Sequence, residues 1–335
     1  MARNEILTSR PTLRSLAEIT GLGVSTVSQA LRDSPEIAEE TKRRVKLAAQ
    51  QAGYRPDRAG VRLRTGKTNV ITLILNIDGP SMSLTEQMVY GISDILKGTP
   101  YHLVLTPYEL SDPMAPVRYV VENKLADGVI ISRTQADDPR VRYLIDNAMP
   151  FATHGRTQCG IDHPFHDYDN ETFAHLAVAA LAKRRRKRIA HLIPPPGLLF
   201  HTHAIIGFAA AIREFGMSEF PSRDLNIDSN IEDMQGFGRH MSQTNDAPDG
   251  YVCYSELSTM AIISGLENAG QELGREFDIV TKQCSPFMAW FRPGLMMINE
   301  DHKLAGKELA RAVLGAIEGR EVKSLQSLAA PSVVN

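Results

Sequence analysis

Three cysteines in 335 residues are too few for a disulfide scaffold. Cys159, Cys253 and Cys284 lie far apart and form no CxxC pair. That spacing excludes a zinc ribbon and fits a reducing cytoplasm. No uninterrupted apolar run approaches the roughly 18 residues of a membrane span. The first residues, MARNEILTSRPTL, carry no apolar segment of a secretory signal, so a cytoplasmic protein is expected. Catalytic signatures are missing too: there is no GxSxG elbow, no HExxH and no GxGxxG after a strand. Gly60…Gly66-Lys67-Thr68 imitates a phosphate-binding loop. It has five residues between the glycines where the motif has four, and no strand precedes it. Neither an enzyme activity nor a cofactor is expected.

What is present suits a folded chain of two or three domains. Hydrophobic residues make up 43% and charged residues 23%, enough to bury a sizeable core. The net charge of −2 conceals an asymmetry. Residues 1–68 hold 13 Lys and Arg against 7 Asp and Glu, a net of +6, and the other 267 residues carry a net of −8. A basic head on an acidic body points to a polyanion partner for the head alone.

The segment TLRSLAEITGLGVSTVSQAL, residues 12–31, predicts two short helices around a turn. Leu13, Leu16, Ala17 and Ile19 have near-helical spacing, and Thr12 is placed to cap the start. Gly21-Leu22-Gly23 breaks the run, since glycine accepts the positive φ of a helix exit. The second helix would bury Val27, Ala30 and Leu31 and present Val24, Ser25, Thr26, Ser28 and Gln29. Two helices joined in this way make a helix-turn-helix, whose second helix enters the DNA major groove. A third helix is predicted from Glu39 to Ala52, packing through Val45, Ala48, Ala49 and Ala52, with Lys42, Arg43, Arg44 and Lys46 on its exposed side. Pro56 separates it from the basic stretch YRPDRAGVRLRTGKT, where Arg58, Arg62 and Arg64 surround Leu63. Gly60 weakens any helix there by roughly 1 kcal/mol relative to alanine. Such a segment can fold on a partner.

From residue 69 apolar strand-like runs alternate with helical patterns. Strands are expected at 70–77, 101–107, 127–132 and 150–155, and in a second series at 188–193, 225–227, 250–255, 278–282 and 294–298. The helices between them end with one running through Ile317. Repeated βα units imply parallel sheets covered on both faces, here as two doubly wound lobes. Ligands of such folds sit beyond the carboxyl ends of the strands, here between the lobes.

Head and body together resemble the LacI/GalR, or lactose-repressor-like, family of transcription regulators over nearly the whole chain. The specific parts are TLRSLAEITGLGVSTVSQAL, ETKRRVKLAAQQAGYRPDRAGVRLRTGKT and MMINEDHKLAGKELARAVLGAIEG. The Asp169-Asn170 helix start and the strand RIAHLI also fit. The resemblance implies an all-α helix-turn-helix head at 1–55, a hinge at 56–68, and an α/β body at 69–335 of periplasmic-binding-protein type. The N-lobe is expected at about 69–167 plus 299–322, and the C-lobe at about 168–298 plus 323–335. It implies a homodimeric repressor on a near-palindromic operator, controlled by a carbohydrate-like effector between the lobes. Val24, Ser25 and Gln29 align with the base readers, and Leu63 with the leucine that wedges into the minor groove. Gln29 stands where arginine is usual, and its amide suits adenine. Thr12, Leu13, Thr26, Ser28, Arg32, Tyr54, Arg58, Arg62 and Arg64 complete the expected DNA contacts.

The effector positions depart from the family pattern. Ala204 stands where an arginine is common, Ser255-Glu256 replaces an Asn-Asp pair, and Ser285 replaces an aspartate. His154, Arg156, His201, His203, Glu256 and Ser285 are the expected effector contacts. Two other features are given ordinary roles. The pairs His163/His166 and His201/His203 do not complete a metal set, so no metal is expected. KRRRKR at 183–188 is expected to be a solvated turn after a helix end. The rival reading keeps the α/β body as a small-molecule-binding protein or enzyme whose basic head does not read DNA.

Overall fold

The computed structural model describes residues 11–54, 60, 62, 65–76, 82–109, 111–222, 225–244, 246–284 and 287–334. It divides into two compact units, with the boundary between Thr68 and Asn69.

In the first unit, helices α1 (Leu13–Thr20), α2 (Val24–Ala30) and α3 (Glu39–Ala52) follow the predicted order. Thr12 caps α1 reciprocally. Its hydroxyl accepts from the Ser15 amide at 3.2 Å, and the Ser15 hydroxyl accepts from the Thr12 amide at 2.7 Å. Two otherwise orphaned donors are thereby satisfied. Gly21 ends the helix at φ 64°, as the turn requires. Leu16, Val27, Ala30 and Val45 are fully buried at the centre of the unit. Two expectations fail here. Ile19 is 61% exposed, and Thr20 takes the inward position, its hydroxyl donating to the Leu16 carbonyl at 2.7 Å. Lys42 is buried and paired with Glu39 at 2.7 Å, while Arg43 pairs with Glu40, Lys46 with Asp33, and Arg44 donates to the Thr20 carbonyl. Only Lys42 leaves the expected exposed side; Arg43, Arg44 and Lys46 are exposed.

The second unit contains two six-stranded sheets. One is built from β1 (Val70–Asn76), β2 (His102–Tyr108), β3 (Gly128–Ile131), β4 (Phe151–His154), β5 (Phe165–Tyr168) and β11 (Gln326–Ala329). Its order is β11-β5-β4-β3-β1-β2 and every pairing is parallel. The other is built from β6 (Arg188–Leu192), β7 (Ser218–Phe220), β8 (Gly250–Cys253), β9 (Asp278–Gln283), β10 (Met296–Asn299) and β12 (Ser332–Val334). Its order is β12-β10-β9-β8-β6-β7, parallel except for β12. Parallel neighbours need long crossovers, which the helices supply. These are α4 (Met82–Leu96), α5 (Ala115–Glu122) and α6 (Pro139–Asp146) in the first lobe. In the second they are α7 (Asn170–Lys183), α8 (Leu199–Glu214), α9 (Ile231–Met241), α10 (Glu256–Asn268) and the short α11 (Phe287–Phe291). Helix α12 (His302–Ile317) returns to the first lobe and packs on α4. That contact requires glycine, because a Cβ on Gly91 would lie 2.0 Å from the Lys303 carbonyl oxygen.

The chain crosses between lobes three times: at Asp169, at Glu300-Asp301, and at Ala330-Pro331. Two crossings open on a capped helix. Asp169 accepts from the Thr172 amide and Asp301 from the Leu304 amide. The third crossing falls later than the expected 323, because β11 pairs with β5 in the first lobe. The expected strand at 225–227 is also corrected. The edge strand is β7, and around Asn226 side chains take the backbone donors instead. The Asn226 amide donates to the Ser229 hydroxyl, and the Asp228 amide to the Asn226 side-chain oxygen. Asparagine and serine compete with a ladder in this way. At 183–188 the turn holds Arg185 at φ 61°, but it is not simply solvated. Arg186 pairs with buried Asp278 at 2.7 Å.

Candidate functional sites

On the head, the first turn of α2 is outward. Val24 is 44% exposed and Ser25 is exposed, while Thr26, Ser28 and Gln29 are half-buried. Arg32 is exposed and steadied by its Nε, which donates to the Ser28 carbonyl at 3.0 Å. Thr12 is exposed at the α1 cap, and Leu13 and Tyr54 lean on the head core. Gly60 and Arg62 are exposed. Arg58, Leu63, Arg64 and Ser285 lie outside the described residues.

In the body, a cleft opens between the lobes at the carboxyl ends of the strands. Its first-lobe wall comes from Leu73, Leu75 and Asn76 on β1, from Ser132, Arg133 and Thr134 after β3, and from His154 and Gly155 at the end of β4. Asp167 and Asn170 flank the first crossing, and Glu300 and His302 flank the second. The second lobe adds Phe200, Ile227, Tyr254, Lys282 and Cys284.

The loop after β3 is rigid for a clear reason. Asp138 caps α6, accepts from the Gln135 amide at 3.1 Å, and binds Arg140 through both carboxylate oxygens. Burial opposes the charge on Asp138, but Arg140 overcomes it and holds the carboxyl below its usual range. Arg140 also donates to the Arg133 carbonyl at 2.9 Å. Arg133 is thereby kept at φ 57°, an uncommon conformation for a side chain of this size. Its guanidinium makes a two-pronged pair with Asp228 of the other lobe. The Leu199 amide donates to the Thr134 carbonyl at 3.0 Å and joins the lobes again. Gly155, at φ 107°, is obligatory beside this loop. A Cβ there would meet the Thr134 hydroxyl at 2.4 Å.

The cleft floor carries a buried polar network. Lys282 donates to Glu300 at 2.7 Å and to the Asn170 side-chain oxygen at 2.6 Å. Its ammonium also lies 4.5 Å from the Tyr168 ring and 5.3 Å from the Phe200 and Tyr254 rings. Burial opposes the Glu300 charge, but Lys282 and His302 outweigh it and keep the carboxylate ionised. Burial also opposes protonation of His302, yet Cys284 and Glu300 beside it raise its pKa to about 10. His154, packed edge-on against His302 at 5.7 Å, is driven the other way. Burial and the charge of His302 lower it to about 4.

Of the expected effector contacts among the described residues, only His154 lies among these wall residues. Arg156 binds Asp167 at 2.6 Å and so orients a residue of the wall. His201 is tied to the Pro194 carbonyl at 2.6 Å, and His203 is buried in α8. Buried Glu256 caps the chain after β9 by accepting from the Cys284 amide at 2.9 Å. Sequence reasoning missed Arg133, Asp167, Asn170, Lys282, Glu300 and His302. One signal was readable: a lysine inside the expected strand at 278–282 needs a partner if that strand is buried.

A capped helix-turn-helix unit and a two-lobed α/β unit with a polar cleft, in one chain, define the class of ligand-binding DNA-reading proteins. The chain matches "Bacterial regulatory proteins, lacI family" over residues 12–57, and "Periplasmic binding proteins and sugar binding domain of LacI family" over 68–328. It belongs to the LacI family of transcriptional regulators. It is 31% identical to the HTH-type transcriptional regulator RafR of Escherichia coli, covering 94% of each chain. It is 29% identical to AglR of Rhizobium meliloti, over 91% of this chain and 87% of that one. Among solved structures, the lac repressor dimer bound to operator and the anti-inducer ONPF superposes with a TM-score of 0.84. That match has 17% identity and covers 98% of each chain.

Proposed function

We propose that this regulator is a homodimeric, cytoplasmic, non-catalytic repressor that binds a near-palindromic operator and is switched by a carbohydrate-like effector in the interlobe cleft. The observation that carries the reading is the presentation of Val24 and Ser25 on the first turn of α2, braced by α1 and α3. Such a turn reaches base edges in the major groove, and a two-fold protein reads two half-sites. Val24, Ser25 and Gln29 read bases. Thr12, Leu13, Thr26, Ser28, Arg32 and Tyr54 fix the head on the backbone. Residues 56–68 act as the hinge, with Arg58, Arg62 and Arg64 beside the wedge Leu63. The effector lies against Phe200 and Tyr254, since apolar ring faces suit the C–H faces of a sugar, and Asp167, Asn170 and Asn76 offer hydroxyl partners. His154 stays in this set, and Arg156 acts through Asp167.

The test is selection of duplexes from a random pool by the full chain. A two-fold symmetric consensus is expected, and it should be lost in the Ser25→Ala/Gln29→Ala variant. Enrichment of no consensus, with binding governed by salt alone, would leave the head as a non-specific polycation and overturn the reading.

A further inference from the structure

We propose that His154, Glu300 and His302, with Cys284 beside them, form a binding site for a first-row divalent transition metal, with zinc the best match. One donor atom from each of His154, Glu300 and His302 lies within 4.8 Å of the other two. Zinc bonds of about 2.0–2.1 Å place tetrahedral donors about 3.4 Å apart, so side-chain rotations that close little more than 1 Å complete the set. His302 is 4% exposed; its Nε2 lies 3.7 Å from a Glu300 oxygen, and neither ring nitrogen makes a hydrogen bond within the usual distance. A buried imidazole left in that state points to a ligand. Cys284 lines the same cleft beside His302, outside the set of three, and its sulfur is the soft atom nearest to hand for a fourth position.

The surroundings resemble the outer layer of a metal centre. Lys282 holds Glu300 Oε2 at 2.7 Å and fixes the carboxylate's direction, and the same oxygen lies 3.7 Å from His302 Nε2. Lys282 also opposes a second cation. Its charge, however, is shared with the Asn170 oxygen and the rings of Tyr168 and Tyr254. His166 stacks on His154 at 6.4 Å and shares a hydrogen bond with Ser327 at 2.8 Å, so it steadies the ligand ring. The donors come from the end of β4, the second crossing and the chain after β9. A bound ion would therefore tie the first lobe to the second.

The test uses the full chain, stripped with a chelator, titrated calorimetrically with zinc chloride and spectroscopically with cobalt chloride, without sugar or DNA. One saturable site per chain is expected, with tetrahedral cobalt absorption and a thiolate charge-transfer band that disappears in Cys284→Ser. His154→Gln and His302→Gln should each weaken zinc by about tenfold or more, and His240→Gln on exposed α9 should leave it unchanged. Circular dichroism of each variant checks folding. The cobalt spectrum of the wild type stands as evidence even if a variant unfolds. No saturable zinc site in the wild type, or binding that survives both histidine changes, would overturn the proposal. Neither result bears on operator selection, which is measured without metal.

Discussion

Lys282 and Glu300 form a buried ion pair, 2.7 Å long, that joins strand β9 of the second lobe to the crossing that starts α12 of the first. The side chains are 4% and 11% exposed, so neither charge has water to fall back on. Removing one partner leaves the other charge buried and unpaired, at a cost of about 3–5 kcal/mol. Lys282→Met and Glu300→Gln should each lower unfolding stability by that order in urea melts. The double variant should recover part of the loss. Equal stability of all four proteins would show that the pair is solvated.

The DNA contacts separate into two kinds. Gln29→Ala should relax preference at one base pair and cost roughly 1–3 kcal/mol on the best site. Arg62→Ala should weaken every sequence alike and flatten the dependence of log affinity on log salt by about 1. Anisotropy titrations at several salt concentrations on selected and scrambled duplexes tell the two apart. Base-edge contacts specify and phosphate contacts position.

The pair between Arg133 and Asp228 closes the lobes over the cleft. Asp228→Ala should open them more often and expose the Leu199 amide, which donates to the Thr134 carbonyl. Amide exchange at Leu199 should then accelerate about tenfold, the equivalent of roughly 1.4 kcal/mol. Unchanged exchange at Leu199 would mean that the backbone contact alone holds the lobes.

Acid should loosen the second lobe through His191. This ring stacks on Phe208 at 3.9 Å, bonds the Tyr254 hydroxyl at 3.2 Å, and is lowered by burial to a pKa of about 3. In the unfolded chain histidine titrates near 6.5, so the unfolded state takes up the proton first. The contribution of His191 is fully present above about pH 6.5. It is lost as pH falls from there toward 3, by up to about 1.4 kcal/mol per pH unit. Buried His163 and His166 are also lowered and act with the same sign. His302 is raised, and its contribution is already complete below 6.5, so it does not offset this slope. His191→Phe should flatten the stability curve between pH 6 and 4 in chemical denaturation. An unchanged slope would assign acid sensitivity elsewhere.

The head was legible because its determinants are local. Thr12, Gly21 and the spacing of Leu16, Val27 and Val45 each act within a turn or two of their own position. The apolar strand β1 was legible as well, because burial on both faces leaves an apolar run. Short edge strands were not. β7 reads Ser-Glu-Phe, and β11 reads Gln-Ser-Leu-Ala, and both are defined by a neighbour rather than by their own pattern. The cleft was the least legible part. Its wall gathers residues from Leu73 to His302. Glu256 and His203, which looked like ligand contacts by alignment, are instead buried in packing roles.

Switching by an effector requires that the cleft and the head be coupled. Coupling is reciprocal, so operator must change effector affinity by the same factor by which effector changes operator affinity. The decisive measurement starts from a sugar identified by thermal shift and titrates it into the full chain with and without the selected operator, for wild type and for Tyr254→Ala. The wild type should show a difference of about 5–150-fold between the two conditions, and Tyr254→Ala should bind the sugar weakly in both. Equal sugar affinity with and without operator would contradict the account.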